Sequence, residues 1–399
     1  MTDNGRLERL AELAITVGAN VQPGQVVSLS CEPGKEPIVR ALAAAAYQHG
    51  AKFVDVSYFD LHVKRARIQY AAEEDLEFTP PWIAERLLHL SEMRAARVAT
   101  SGPVAPGLLS DLDPRRVGRD PLPFVPEAIQ VVNERTTNWT IVPFPSPPWA
   151  ALVYPGVAPD EALERLWRDV EHVCRLDEDD PLEQWRMRAD ALDAAAARMT
   201  DAHFDSLRFE GPGTDLTVGL LPTSRWIGAR MDTVDGISHV ANIPTEEVFT
   251  APDPERVDGF VRATKPLVTG GNVVRGLSVR FEGGRAVEIT AEEGGEVLAA
   301  LTERDDGAKR LGELALVDRE GRIGPLDRVF YDTLLDENAA SHVALGAAYE
   351  VCVGDADKGG INTSAIHIDF MIGGNDVSVT GRQADGTEVP VLRDGRWQL

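Results

Sequence analysis

From about residue 201 onward the apolar residues of this chain recur at every second position. SLRFEG, DLTVGLL, VVRGLSVRFEGG and RAVEITAE all alternate in this way, with Gly-rich turns between them. Side chains of an extended strand point alternately to opposite faces, so the pattern predicts a mostly antiparallel sheet with one covered face. Before residue 200 the texture is different. Leu7 to Val17 repeats apolar residues at helical spacing, QVVSLS (25–30) is an extended run, Pro37 to Tyr47 is helical and KFVDVSYF (52–59) is extended again. That alternation is the mark of an α/β layer.

Two textures in 399 residues, a length beyond which one hydrophobic core rarely keeps growing, predict two domains. The first is an α/β N-terminal domain, residues 1–200, which ends in a helical connection from about 159 to 200. The second is a mostly antiparallel β (α+β) C-terminal metal-binding domain, residues 201–399. Within the first, RVATSGP (97–103) and NWTIVPF (138–144) read as strands and EAIQVVNERT (127–136) as a helix. The Pro-rich PFPSPPWAALVYPG (143–156) reads as a loop able to fold over a site or a partner chain. Within the second, helices are expected near 292–303 and 337–351, and hairpins close the chain.

Charge narrows the choice of partners. A formal net charge of -24 repels phosphate backbones and anionic lipid, so neither nucleic acid nor membrane is an expected partner, whereas cations and positively charged small substrates are attracted. The three cysteines, Cys31, Cys174 and Cys352, form no CxxC pattern. They fit a reducing cytoplasm and exclude a zinc site caged by cysteines. The first twenty residues read as an amphipathic helix rather than a signal peptide, and no apolar run approaches the ~20 residues that span a bilayer.

Chemistry concentrates in the second half. In IHIDFMIG (366–373), period-2 geometry puts Ile366, Ile368, Phe370 and Ile372 on one face and His367, Asp369 and Met371 on the other. Imidazole nitrogen and carboxylate oxygen both suit zinc, cobalt or manganese, although a hydrogen-bonded His-Asp couple would look the same. Asp336 is a plausible helix cap, after which His342, Gly346 and Tyr349 would fall on one helical stripe. Packing alone would also explain that histidine and that tyrosine. Glu313 opens an apolar strand directly after a glycine, and NIPTEEVFT (242–250) sets Glu246 beside Glu247 after a proline that disfavours a helix interior. Together Glu247, Glu313, His342, His367 and Asp369 make three carboxylates and two imidazoles on separate elements, about what two divalent cations require. The doublet then divides into a ligand, Glu247, and a candidate general base, Glu246, whose alternative is a surface charge pointing away.

Several long stretches carry a resemblance. NIPTEEVFTAPD (242–253), RATKPLV (262–268), RLGELALV (310–317), FYDTLLDENAASHVALGAAY (330–349) and NTSAIHIDFMIGG (362–374) resemble the signature blocks of the M29 aminopeptidases, in family order. The resemblance implies a metal-dependent exopeptidase that removes N-terminal residues from peptides, working as a homodimer with two divalent ions (Zn, Co, Mn or Mg) per subunit. It implies Glu247, Glu313, His342, His367 and Asp369 as the ligands, with Glu313 and Asp369 at the positions that bridge the ions. Tyr349 matches the family's active-site tyrosine, as a metal ligand or a hydrogen-bond donor. The segment GDADKGGIN (354–362) is shorter than the usual insert, which affects loop shape rather than the metal site. Two other readings stay open. A two-metal phosphoesterase would want basic residues, for which Arg230 and Lys265 are the nearest in sequence, and a non-catalytic protein would bind a small ligand in its α/β half.

Overall fold

The computed structural model describes residues 3–269 and 272–399, the side chains from Gly5 onward. It divides into two compact units, each assembled from three stretches of chain. The first comprises Met1–Leu108, Asp120–Ala191 and Ala229–Thr245, and the second Leu109–Arg119, Leu192–Gly228 and Glu246–Leu399.

The first unit is built on four parallel strands, β1 (Val26–Cys31), β2 (Phe53–Tyr58), β3 (Ala96–Ser101) and β4 (Trp139–Pro143), in the order β2-β1-β3-β4. Parallel neighbours need crossovers. The helix Glu36–Gln48 supplies one between β1 and β2, burying Ile38, Val39, Leu42, Ala45 and Ala46 along a single stripe. It begins beside Lys35, a fully buried lysine whose ammonium donates to the carbonyls of Thr100 (3.1 Å) and Ser101 (2.9 Å) and pairs with Glu32 at 3.1 Å. The Pro-rich segment holds a helix, Pro147–Val153, where a loop was expected. Its prolines stand at the first helical positions, where no intrahelical N–H is needed, and the Ser146 hydroxyl caps the helix by accepting from Trp149 N–H at 3.2 Å.

The second unit contains an eight-stranded antiparallel sheet. Its order is Arg285–Thr290, Ser278–Glu282, Pro252–Arg262, Thr214–Leu220, Phe204–Gly211, Ser378–Gln383, Glu388–Arg393 and Arg396–Trp397. This is the alternating region of the sequence. Beside it in the same unit lies a four-stranded antiparallel sheet of β5 (Glu247–Thr250), β6 (Leu311–Val317), β7 (His342–Gly346) and β8 (His367–Met371), ordered β8-β7-β6-β5.

Here one sequence expectation fails. The segment 337–351 is not a helix. A five-residue helix, Thr333–Glu337, is followed by strand β7, every residue of which is buried. A strand covered on both faces shows no alternation, and its alanines suit either structure, so periodicity does not separate the two. Asp336 lies inside that short helix, and its carboxylate accepts from the N–H groups of Phe330 (2.8 Å) and Asp332 (3.3 Å).

Candidate metal centre

Register decides which side chains meet. His342 on β7 is paired with Ala315 on β6 and Met371 on β8, and Ala344 with Glu313 and Asp369. On the other side of β6, Val317 is paired with Glu247 and Ala315 with Phe249. Paired residues point to the same face and next-but-one residues share it. Therefore Glu247, Glu313, His342, His367 and Asp369, borne by four strands, all project from one face of the small sheet. Small residues at Ala344 and Ala315 stand between them and leave room for their ends. Gly346 is needed where β7 passes β8, since a Cβ there would sit 2.0 Å from the Ile366 carbonyl oxygen.

The donor atoms converge. His342 Nε2 lies 3.1 Å from Glu247 Oε2 and 3.4 Å from Glu313 Oε1, and His367 Nε2 lies 3.6 Å from Glu313 Oε2 and 3.5 Å from Asp369 Oδ1. Two groups result, Glu247–Glu313–His342 and Glu313–His367–Asp369, each with its ligand atoms within 4.8 Å of one another. Glu313 belongs to both and gives one oxygen to each. Asp369 belongs to the second alone.

The tautomers sharpen this picture. His342 Nδ1 is 3.2 Å from the Ala340 carbonyl and His367 Nδ1 is 2.8 Å from the Ala347 carbonyl. A carbonyl oxygen only accepts, so both Nδ1 atoms carry hydrogen and both Nε2 atoms turn toward carboxylates. Glu247 Oε2 and Asp369 Oδ1 are buried without hydrogen-bond geometry to any group, although an imidazole nitrogen stands near each. Buried carboxylate oxygens crowded against imidazole nitrogens call for positive charge, which protons on the rings or a bound cation supply. The donors are oxygen and imidazole nitrogen throughout, a set that fits divalent zinc, cobalt or manganese.

Electrostatics agree. Burial opposes a charge on His342, but Glu247 and Glu313 outweigh it and hold the ring well above the ordinary imidazole pKa. Burial likewise opposes a charge on His367, yet Asp369 and Glu313 raise it to about 9. Glu313 is raised chiefly by burial. Burial opposes a charge on Asp369, but the positive charge of His367 outweighs it and keeps Asp369 below the usual carboxylate range.

Glu246 does not join the cluster. Its backbone N–H donates to Asn338 Oδ1 at 2.7 Å, its Oε1 accepts from Arg322 N–H at 3.2 Å, and its carboxylate packs on Gly321. Neighbouring residues of an extended segment point to opposite sides, and Glu247 takes the side of the imidazoles. The expectation of Glu246 as a base beside the ions is therefore corrected.

A different carboxyl faces the cluster. Glu337 ends the short helix, and its pKa stands well above the usual range because of burial and then the charges of Asp369 and Glu247. Sequence reasoning misses it because the surrounding DENAASH reads as continuous helix. The available signal is a carboxylate inside a mostly buried run five residues before His342. Tyr349 is brought to the site without a helix. Its ring centroid is 5.4 Å from that of His367, and burial with the charge of Glu313 keeps the phenol protonated well above its ordinary pKa.

The two basic residues nearest in sequence are engaged elsewhere. Lys265 donates to the Arg328 carbonyl at 3.1 Å and Arg230 pairs with Asp190 at 2.6 Å. The charges that set the titration of Glu313, His342 and Glu337 are those of carboxylates and imidazoles.

Acidic and imidazole side chains gathered on one sheet face, with a protonated tyrosine beside them, define a metal-dependent hydrolase. The family model described as thermophilic metalloprotease (M29) matches residues 3–397; the chain belongs to the M29 family and is a metallo-aminopeptidase. Aminopeptidase T of Thermus thermophilus is 44% identical over 401 residues, 98% of each chain. Aminopeptidase 2 of Geobacillus stearothermophilus is 36% identical over 402 residues, covering 98% of this chain and 97% of that one. The solved structure of wild-type AmpT from Thermus thermophilus superposes with a TM-score of 0.89 at 43% identity, over 99% of each chain. Among the described residues no helix is long and apolar enough to cross a membrane.

Proposed function

We propose that the protein removes the N-terminal residue of peptides at two divalent cations, one held by Glu247, Glu313 and His342, the other by Glu313, His367 and Asp369. The observation that carries this reading is the sharing of Glu313 between two imidazole–carboxylate groups whose Nε2 atoms both turn inward. Charge supports the number of ions. Glu247, Glu313, Glu337 and Asp369 bring four negative charges if ionised, which two dications would balance.

When bound, such ions acidify a water molecule and polarise the scissile carbonyl. The chain's own residues do the rest. The carbonyls of Ala340 and Ala347 fix the two imidazoles in the tautomer that presents Nε2. Glu337, a half-buried residue whose carboxyl has a strongly elevated affinity for a proton, takes one from the attacking water and returns it to the leaving amine. Tyr349, protonated at neutral pH, donates its hydroxyl hydrogen to the carbonyl oxygen as charge develops there. The acidic surroundings attract the ammonium of a free peptide N-terminus.

Two further parts belong to the same reading. The three cysteines are all unpaired, in keeping with the cytoplasm. The protein works as a homodimer, and the exposed Val56 and Tyr58, which share one side of the edge strand β2, offer apolar surface to a second copy; sedimentation at micromolar concentration reads this directly, and a monomer would remove it.

The function is tested by stripping the protein with chelator and assaying leucyl-p-nitroanilide, N-acetyl-leucyl-p-nitroanilide and bis-p-nitrophenyl phosphate before and after adding cobalt or zinc. Metal-restored cleavage of the free-amine anilide alone is expected, and its loss in His367→Ala. Cleavage of the phosphodiester instead would establish the phosphoesterase reading.

A further inference from the structure

We propose that Phe249 and Ile227, with Leu221 beside them, form the subsite that receives the side chain of the peptide's first residue, and that this subsite favours aliphatic and aromatic residues. The inference rests on the aminopeptidase reading above and adds the class of residue removed.

Phe249 shares its face of β5 with Glu247, two residues earlier, so it projects on the side of the candidate ligands. Val248 and Thr250, on the other side, are fully buried. The strand β5 is the last of its sheet, yet Ile227 continues it locally. Phe249 N–H donates to the Ile227 carbonyl at 3.0 Å, and Ile227 N–H to the Phe249 carbonyl at 2.8 Å. Residues bonded in this reciprocal way stand directly opposite and point to the same face. Two large apolar side chains are thereby placed side by side at the margin of an acidic centre.

The wall joins the site through aromatic contacts. The Phe249 and Tyr349 centroids are 6.4 Å apart at 72°, an edge-to-face arrangement, and Tyr349 stands next to His367. Beneath lies a closed layer of Ala251, Ala348, Cys352, Val353 and Ile361. Phe249, Ile227 and Leu221 pack on it but remain only partly buried. Apolar surface left open beside four carboxylates invites an apolar occupant. A peptide N-terminus offers one in the right place, because the ammonium drawn to the carboxylates and the first side chain are attached to the same carbon.

The test compares kcat/KM for a series of aminoacyl-p-nitroanilides, with leucine, phenylalanine, alanine and glycine, in the metal-loaded protein and in Phe249→Ala, Phe249→Leu and Ile227→Ala. The expected result is a fall of about tenfold in the leucine-to-glycine ratio for Phe249→Ala, as loss of a few methylene-sized contacts gives. A smaller fall is expected for Ile227→Ala and near-normal selectivity for Phe249→Leu, with bound metal unchanged in all. Direct binding of free leucine against free glycine, measured by calorimetry, provides the same ratio without turnover, and Ile227→Ala keeps the test decisive should Phe249→Ala fail to fold. An unchanged leucine-to-glycine ratio in variants that still bind metal would overturn the subsite while leaving the aminopeptidase reading intact. A metal-loaded protein that cleaves none of the anilides would overturn both.

Discussion

Asn338 Oδ1 accepts the backbone N–H of Glu246 at 2.7 Å. The bond ties the residue before β5 to the residue after the short helix Thr333–Glu337, and so places Glu247 and Glu337 together. The same side chain is fully buried, and its Nδ2 donates to the Leu334 carbonyl (3.0 Å) and to Glu337 Oε1 (3.4 Å). Replacement by alanine leaves a buried donor and a buried acceptor without partners, at a cost of about 1–3 kcal/mol each. Asn338→Ala is therefore expected to lower the denaturant midpoint and weaken metal binding together. A variant that loses stability while its metal affinity stays unchanged would show that Asn338 does not orient the site.

Glu337 and Glu246 are expected to part company on mutation. Glu337→Gln should lower kcat by about 10²-fold or more, as removal of a proton-transferring group does, with the metal content unchanged. Glu246→Gln should leave kcat within a few fold, because its carboxylate meets Arg322 N–H rather than the imidazoles. Metal content by emission spectroscopy separates the roles. A missing ion in Glu337→Gln would make that residue a ligand instead.

Metal removal should cost stability as well as activity. Ions that bind the folded chain alone stabilise it by RT ln(1 + [L]/Kd), about 4 kcal/mol at a thousandfold excess over Kd. The midpoint of thermal unfolding is expected to fall on chelation and to recover on adding zinc or cobalt, in wild type but not in His342→Ala. An identical midpoint with and without metal would contradict the assignment of the buried carboxylates as ligands.

Acid stability should depend on His239, away from the metal centre. Burial, outweighing nearby carbonyls and Asp232, lowers its pKa from 6.5 to about 4, and its ring packs on Trp139 with centroids 6.3 Å apart. Above pH 6.5 the ring is neutral folded or unfolded and contributes nothing. Between 6.5 and 4 the unfolded chain takes up a proton that the folded one resists, so stability falls as pH falls. The loss at pH 5 is about 2 kcal/mol, from ~1.4 kcal/mol per pH unit. His239→Phe keeps an aromatic ring and should remove that part of the loss. Equal pH dependence in both proteins would show that His239 does not titrate in this way.

The α/β half and the β half are legible in the sequence because their elements are amphipathic, with periods of about 3.6 and 2. His367 and Asp369 are legible for the same reason, since β8 keeps one polar and one apolar face. Legibility ends where burial becomes complete. Strand β7 has no polar side chain apart from His342, so HVALG reads as helical, and the carboxylate just before it reads as part of the same helix. The Glu246–Glu247 doublet is recognisable as unusual, but which member faces the imidazoles depends on the pairing of β5 with β6, a contact between residues more than sixty apart. Apolar side chains such as Phe249 and Ile227 give no sequence signal of nearness to charge. Only the register across β5 and the bridge to residue 227 brings them beside it.

The sharing of Glu313 is tested most directly by an anomalous-difference map from crystals grown with zinc. The expected map has two peaks on the face of the small sheet, one beside His342 and one beside His367, with the Glu313 carboxylate between them. A map with a single peak, or with none within coordinating distance of Glu313, would contradict the two-ion centre.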